Sequence, residues 1–387
     1  MIKFNGVSEK HVNLYPTHMM KSLIELEQNG LLRTLPDHFS GIDFCSNDYL
    51  GFSRLGLLNS KKMEQNPSGS VPFAANASHI ISRNSAVIQE AEKQIALFHH
   101  AKSALVFNNG YDAHLGLLSC VAQRTDLILY DEFVHASLLD GIKLSPSTSH
   151  KFQHNDLAAI EVLLFKHQKN FENIFIVVES VYSLDGDASP LIEITELCRP
   201  FKNVFLIVDE ADAIGVFGKQ GRGLCNALNI ESRCFARIYT YGKAMGCQGA
   251  VILGSEVLTN YLVNYARSFI YTTALPLHSI NAILHAYQLL IETDEKEKLQ
   301  KNIAYFYQKA AGLRHCVKSQ SAIHSITVSS LEQAERLERQ LSEKNMHVRV
   351  IKRPTVKPSS ERVRISLHSF NTREEIDLLV EVLSNFQ

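Results

Sequence analysis

Six short apolar runs, separated by stretches with helical patterning, constrain this chain more than any other feature. They are Ser103–Phe107, Leu127–Tyr130, Ile174–Val178, Val204–Val208, Phe235–Tyr239 and Ala250–Leu253. Runs this short, apolar throughout and rich in β-branched residues, suit strands covered on both faces. Their alternation with helices predicts an open, mostly parallel α/β sheet. Ligands in such sheets bind at the carboxyl ends of the strands, so the residues that follow each run are where chemistry is expected.

Two of those residues matter most. Asp209 follows Val204–Val208, and Lys243 follows Phe235–Tyr239 within Thr240-Tyr241-Gly242-Lys243-Ala244-Met245-Gly246. A lysine amine can form a Schiff base with an aldehyde. An aspartate can keep a pyridinium nitrogen protonated, so that the ring accepts electrons. Taken singly, such a lysine is usually a solvated loop charge and such an aspartate a helix cap. On consecutive strand ends they imply a pyridoxal 5'-phosphate site.

The neighbours fit that site. Asn108-Asn109-Gly110-Tyr111 follows a strand and opens a helix. Glycine lets the backbone approach an anion there, and the helix N-terminus supplies positive potential, although Asn-Gly is also a common turn. Thr240, Thr272 and Thr273 offer hydroxyls to a phosphate. His135 opens a helix just after a strand and could stack on the cofactor ring. Gly218-Lys219-Gln220-Gly221-Arg222-Gly223 lacks the terminal Lys-Ser/Thr of a P-loop and reads as a flexible connection.

Composition narrows the rest. A chain of 387 residues with 45% hydrophobic and 20% charged side chains is ordinary globular material with room for two domains. Net charge −1 without a basic tract gives no field for nucleic acid or an acidic membrane. No apolar stretch could span a bilayer, and Met1-Ile2-Lys3-Phe4-Asn5-Gly6 lacks a signal-peptide layout, so a cytoplasmic protein is expected. The seven cysteines are scattered without a CxxC and read as reduced core residues. No metal is expected: His99 and His100, read as adjacent helix positions, diverge by about 100° and lack a third ligand.

Three regions are expected. An N-terminal segment, 1–45, is helical to about Leu35 and extended at Ile42–Cys45. A large cofactor-binding α/β domain spans 46–276. A smaller α+β domain, 277–387, starts with a long helical region to about Leu313. Strands follow at 323–328, 347–351 and 362–367, with helices at Leu331–Leu341 and from Thr372.

From about Arg33 to the C-terminus the chain resembles the α-oxoamine synthases, pyridoxal phosphate enzymes that condense an amino acid with an acyl thioester and lose carbon dioxide. The blocks are Ser46-Asn47-Asp48-Tyr49-Leu50-Gly51, Asn109-Gly110-Tyr111, His135-Ala136-Ser137-Leu138, His154-Asn155-Asp156, Glu179-Ser180-Val181-Tyr182-Ser183-Leu184-Asp185-Gly186, Val208-Asp209-Glu210-Ala211, Gly221-Arg222-Gly223, Tyr241-Gly242-Lys243 and Arg362-Val363-Arg364. The resemblance implies an aspartate-aminotransferase-like architecture (fold type I). It makes Lys243 the Schiff-base lysine and proton shuttle, Asp209 the partner of the ring nitrogen, and His135 the residue stacked over the ring and meeting substrate. Gly110, Tyr111 and Thr240 would hold the cofactor, with Ser183 beside it. Arg364 would grip the amino-acid carboxylate, and Arg33, Asn47 and Thr355 would face substrate. It further implies a homodimer with shared sites, in which Thr272 and Thr273 serve the neighbour's phosphate.

Arg353-Pro354-Thr355-Val356 and Ser366-Leu367-His368 most resemble the branch that joins L-alanine to a pimeloyl group, on coenzyme A or a carrier protein, to give 8-amino-7-oxononanoate for biotin. Two other assignments fit the same residues. One is a sister enzyme using glycine or serine with another acyl-CoA. The other is a weakly active or non-catalytic paralogue serving as a binding or regulatory subunit; the presence of both Lys243 and Asp209 counts against it.

Three departures stand out. The family's usual His, donating to the cofactor's ring oxygen, is Asp212 here, and an ionised carboxylate cannot donate a hydrogen bond. A glycine-rich run ending in Arg reads Ala75-Asn76-Ala77-Ser78-His79, and a customary His is Ile88.

Overall fold

The computed structural model describes residues 15–33, 35, 40–58, 75–81 and 85–386; the reading of Met1–Gly6 lies outside them. The strands are β1 (Ile42–Asp43), β2 (Ser103–Phe107), β3 (Leu127–Asp131), β4 (Thr148–Phe152), β5 (Ile174–Glu179) and β6 (Val204–Asp209). They continue with β7 (Cys234–Thr240), β8 (Ala250–Gly254), β9 (Ile323–Thr327), β10 (Met346–His347), β11 (Arg349–Ile351) and β12 (Arg362–Ser366).

Seven strands make the central sheet, in the order β2-β8-β7-β6-β5-β3-β4. β8 runs antiparallel to β2 and β7, and every other pair is parallel. The remaining six strands therefore end on one edge. Successive residues explain the uniform hydrophobicity: Phe175, Val177 and Ile207 enter one core cluster, while Ile174, Ile176, Val178, Leu206 and Val208 enter another on the opposite face. The expected mostly parallel α/β sheet is what forms. β4 was not expected, because Thr148-Ser149-His150-Lys151 is polar and exposed. It is the sheet's edge, where polar and charged residues protect unpaired backbone.

The C-terminal strands form an antiparallel sheet, β11-β12-β9. The N-terminal piece belongs beside it: β1 pairs in parallel with β10, and the Ser366 N–H donates to Phe44 O at 2.8 Å.

Several local expectations change. Among the described residues the N-terminal helix is Thr17–Gln28, ending before the expected Leu35. The long helical region is two helices, Leu277–Glu292 and Glu295–Lys309, broken at Thr293. The strand expected at 347–351 divides around buried Val348, because β10 and β11 pair with different strands. The helix before His99-His100 ends at Phe98, so the pair occupies a turn; His99 is buried between Arg222 O and the Tyr287 hydroxyl. The 218–223 segment is packed, not loose: the Gly215 N–H donates to Gly221 O, and the Gly223 N–H to Phe217 O. The cysteines are all free. Among the described residues no group of His, Cys, Asp and Glu could hold a metal, and no helix is long and apolar enough to cross a membrane.

Candidate active site

Lys243 lies just beyond β7 and Asp212 just beyond β6. The lysine Nζ donates to Asp212 Oδ2 at 2.5 Å, an ion pair with the carboxylate almost fully buried. The position-212 side chain therefore faces the site and does not cap the adjoining segment. Its other oxygen, Oδ1, accepts from the Tyr49 hydroxyl at 2.7 Å. Tyr49 is held in turn by Arg364 on β12, whose Nη2 donates to the phenol oxygen and to Asn47 Oδ1, both at 3.1 Å. Arg364 Nε donates to Ser183 O at 2.8 Å. Lys243, Asp212, Asn47, Ser183 and Arg364, each singled out in the sequence, thus meet in one network.

Asp209 ends β6 beside them. Its Oδ1 accepts from the Ala211 N–H at 2.9 Å, and its Oδ2 lies 3.1 Å from His114 Nε2. The two groups touch without meeting the geometry of a full hydrogen bond. Burial pushes the Asp209 carboxyl up, but His114, Lys243 and the Ala211 N–H outweigh it and hold the group below the usual range.

His135 caps the helix Ala136–Leu144. Its Nδ1 meets Ser137 Oγ at 2.7 Å, and the same hydroxyl lies 2.7 Å from His114 Nδ1. Its backbone N–H donates to Glu179 Oε1 at 2.5 Å, while Glu179 Oε2 accepts from the Ser183 N–H at 3.1 Å. Burial, and then Asp209 and Asp212, push the Glu179 carboxyl well up. Burial and Lys243 lower the His135 imidazole.

Asn109 caps the helix Gly110–Val121 by accepting from the Asp112 N–H at 2.8 Å. The leading N–H groups of a helix lack intrahelical partners, so Gly110 and Tyr111 present donors at this end. Gly110 has no alternative: a Cβ there would fall on Thr240 Oγ1. The Tyr111 phenol turns to Asp140 at the surface. Thr272 Oγ1 accepts from Asn108 Nδ2 at 3.0 Å, which sets Thr272 and Thr273 against this chain's own cradle. Arg33 and Thr355 meet at 3.4 Å, 322 positions apart. Of the departures, His79 stacks on Phe269 at 4.3 Å, and burial lowers its imidazole to about 4; Ile88 joins the core.

A cleft of about 460 Å³ opens over Lys243, with Asn47, Asn109 and Thr240 in its wall. An amine, a buried carboxylate, hydroxyls and helix N–H donors around such a cleft are what an aldehyde-bearing pyridinium phosphate requires. Tyr49 and Glu179 stand inside the blocks that carry the resemblance but were given no role, and His114 lies outside those blocks. His114 offered one signal, a polar residue four after Gly110 on an otherwise apolar helix face.

Residues 40–383 match the family aminotransferase class I and II. The chain is 38% identical to the 8-amino-7-oxononanoate synthase of Emericella nidulans, over 90% of this chain and 89% of that one. This chain belongs to the α-oxoamine synthase branch of that family. It is a pyridoxal phosphate-dependent enzyme of the acyltransferase type. The crystal structure of 8-amino-7-oxononanoate synthase from Francisella tularensis superposes with a TM-score of 0.73 at 30% identity, covering 89% of this chain and 97% of that one. Serine palmitoyltransferase of Sphingomonas wittichii shares the fold, with a TM-score of 0.83 at 22% identity and 96% of each chain covered.

Proposed function

We propose that this enzyme condenses L-alanine with a pimeloyl thioester, on coenzyme A or an acyl carrier protein, releasing carbon dioxide and free thiol to give 8-amino-7-oxononanoate for biotin. The observation that carries this reading is the 38% identity over 90% of the chain to the Emericella nidulans protein of that name.

The site's chemistry supports it. Bound pyridoxal phosphate supplies an electron sink for the carbanion at the amino-acid α-carbon. Lys243 would hold that group, and its Nζ would be the base that takes the α-proton and later returns one. Asp209, kept low by His114, retains a proton on the ring nitrogen. The Arg364 guanidinium takes the alanine carboxylate, a two-pronged match. His135, fixed by Ser137 and Glu179, serves the ring face and the incoming substrate. Gly110, Tyr111 and Thr240 would supply phosphate donors, with Ser183 beside the cofactor and Asp212 serving its ring oxygen. Arg33, Asn47 and Thr355 serve the substrate side. In this reading the protein is cytoplasmic and works as a homodimer with shared sites.

The test is product analysis by mass spectrometry, offering alanine, glycine and serine against pimeloyl, acetyl, succinyl and palmitoyl thioesters. Alanine with the pimeloyl thioester should give the dominant product. Preference for glycine or serine would move the enzyme to a sister activity.

A further inference from the structure

Four side chains from separate segments form one line of hydrogen bonds: Arg364 Nη2 to the Tyr49 oxygen at 3.1 Å, Tyr49 OH to Asp212 Oδ1 at 2.7 Å, and Lys243 Nζ to Asp212 Oδ2 at 2.5 Å. The Tyr49 side chain is fully buried, so it has no water to replace a lost partner. Aspartate at position 212 fixes the direction of the line. A carboxylate accepts from both sides and has no hydrogen to give. The phenol proton must therefore point at Asp212, which leaves the phenol oxygen to accept from Arg364. A histidine donating from position 212 would not impose that order.

Arg364 Nη2 carries two hydrogens, and Asn47 and Tyr49 take both. A carboxylate arriving at that nitrogen must displace one of them. We propose that Tyr49 is a positioning residue that couples occupancy of Arg364 to the hold of Asp212 on Lys243. The amino-acid role of Arg364 rests on the function proposed above; the coupling itself rests on the hydrogen bonds. When Arg364 stops donating to the phenol, Tyr49 donates less strongly to Asp212. The carboxylate then holds the lysine ammonium more tightly. Because such coupling is reciprocal, the state of Asp212 also adjusts Arg364.

Two measurements test this, with Tyr49→Phe keeping the ring and deleting only the hydroxyl. The first is the acetylation rate of Lys243 by acetic anhydride, read by peptide mass spectrometry in the full chain freed of cofactor. Arg364→Leu should slow it roughly threefold or more, within the range for residues sharing one network. In the Tyr49→Phe background the same change should do nothing. The second is alanine affinity of the cofactor-loaded protein, followed by absorbance. Tyr49→Phe should tighten it roughly threefold or more, because the carboxylate no longer displaces a phenol from Arg364, but much less when Asp212 is already Ala. An equal effect of Arg364→Leu in both backgrounds, or additive effects of Tyr49→Phe and Asp212→Ala on alanine, would overturn the proposal. Failure of the wild-type protein to bind alanine would instead count against the proposed function, leaving the acetylation result to stand.

Discussion

His114 Nε2 lies 3.1 Å from Asp209 Oδ2, both buried, one turn into the helix that also opens the phosphate cradle. The helix thus serves two ends of one ligand, donors at its first residues and a carboxylate brace at its fifth. Asp209→Ala should leave cofactor binding measurable while slowing α-proton exchange of alanine in deuterated water by roughly a hundredfold or more, the worth of a well-placed ionisable group. His114→Leu should fall between wild type and Asp209→Ala. Undiminished exchange in Asp209→Ala would remove Asp209 from the ring nitrogen.

Arg364 and Arg362, two apart on β12, should separate cleanly. Arg364→Leu should weaken alanine binding roughly tenfold to a hundredfold with the cofactor spectrum intact. Arg362 instead forms a buried ion pair with Asp185. Arg362→Leu strands that carboxylate and should cost about 3–5 kcal/mol of stability, read as denaturant midpoint, with a smaller effect on alanine. Equal alanine affinity in wild type and Arg364→Leu would move the carboxylate site elsewhere, with Arg33 the next candidate.

His154 gives a pH signature. Burial alone would lower its imidazole, but Asp131 at 3.0 Å and Asp187 at 2.7 Å outweigh that and raise it from 6.5 to about 9. Because the folded value is the higher one, the stabilisation is complete below about 6.5. It is lost as pH rises through about 9. Thermal melting should therefore decline across that window. His154→Gln should flatten the decline, and an identical profile in the variant would contradict the assignment.

Six of the seven strands of the central sheet were legible because they are apolar on both faces, a pattern no solvated segment shares. Lys243 and Asp209 were legible because strand ends point at one edge. What stayed hidden was contact between distant segments. Nothing local marks Tyr49, Glu179 or His114 as site neighbours; Tyr49 reaches Asp212 across 163 positions. β4 stayed hidden because an edge strand carries the polar residues of a loop. The pairing of β1 with β10 depends on backbone hydrogen bonds that side-chain patterns do not report.

Asp212 should leave a spectral mark. A carboxylate beside the cofactor's ring oxygen favours the protonated oxygen, where a donating histidine favours the anion. Absorbance titration should show the protonated-oxygen form over a wider pH range in wild type than in Asp212→His, with Asp212→Asn between them. Superimposable spectra for all three would make Asp212 a structural substitution.

The assignment of Lys243 as the Schiff-base lysine is tested by borohydride reduction of the cofactor-loaded protein followed by peptide mapping. The protein should be yellow, with its cofactor becoming fixed to Lys243 and to no other lysine, and Lys243→Ala should lose both colour and label. A label on another lysine, or a Lys243→Ala protein that keeps the wild-type absorbance, would contradict the assignment.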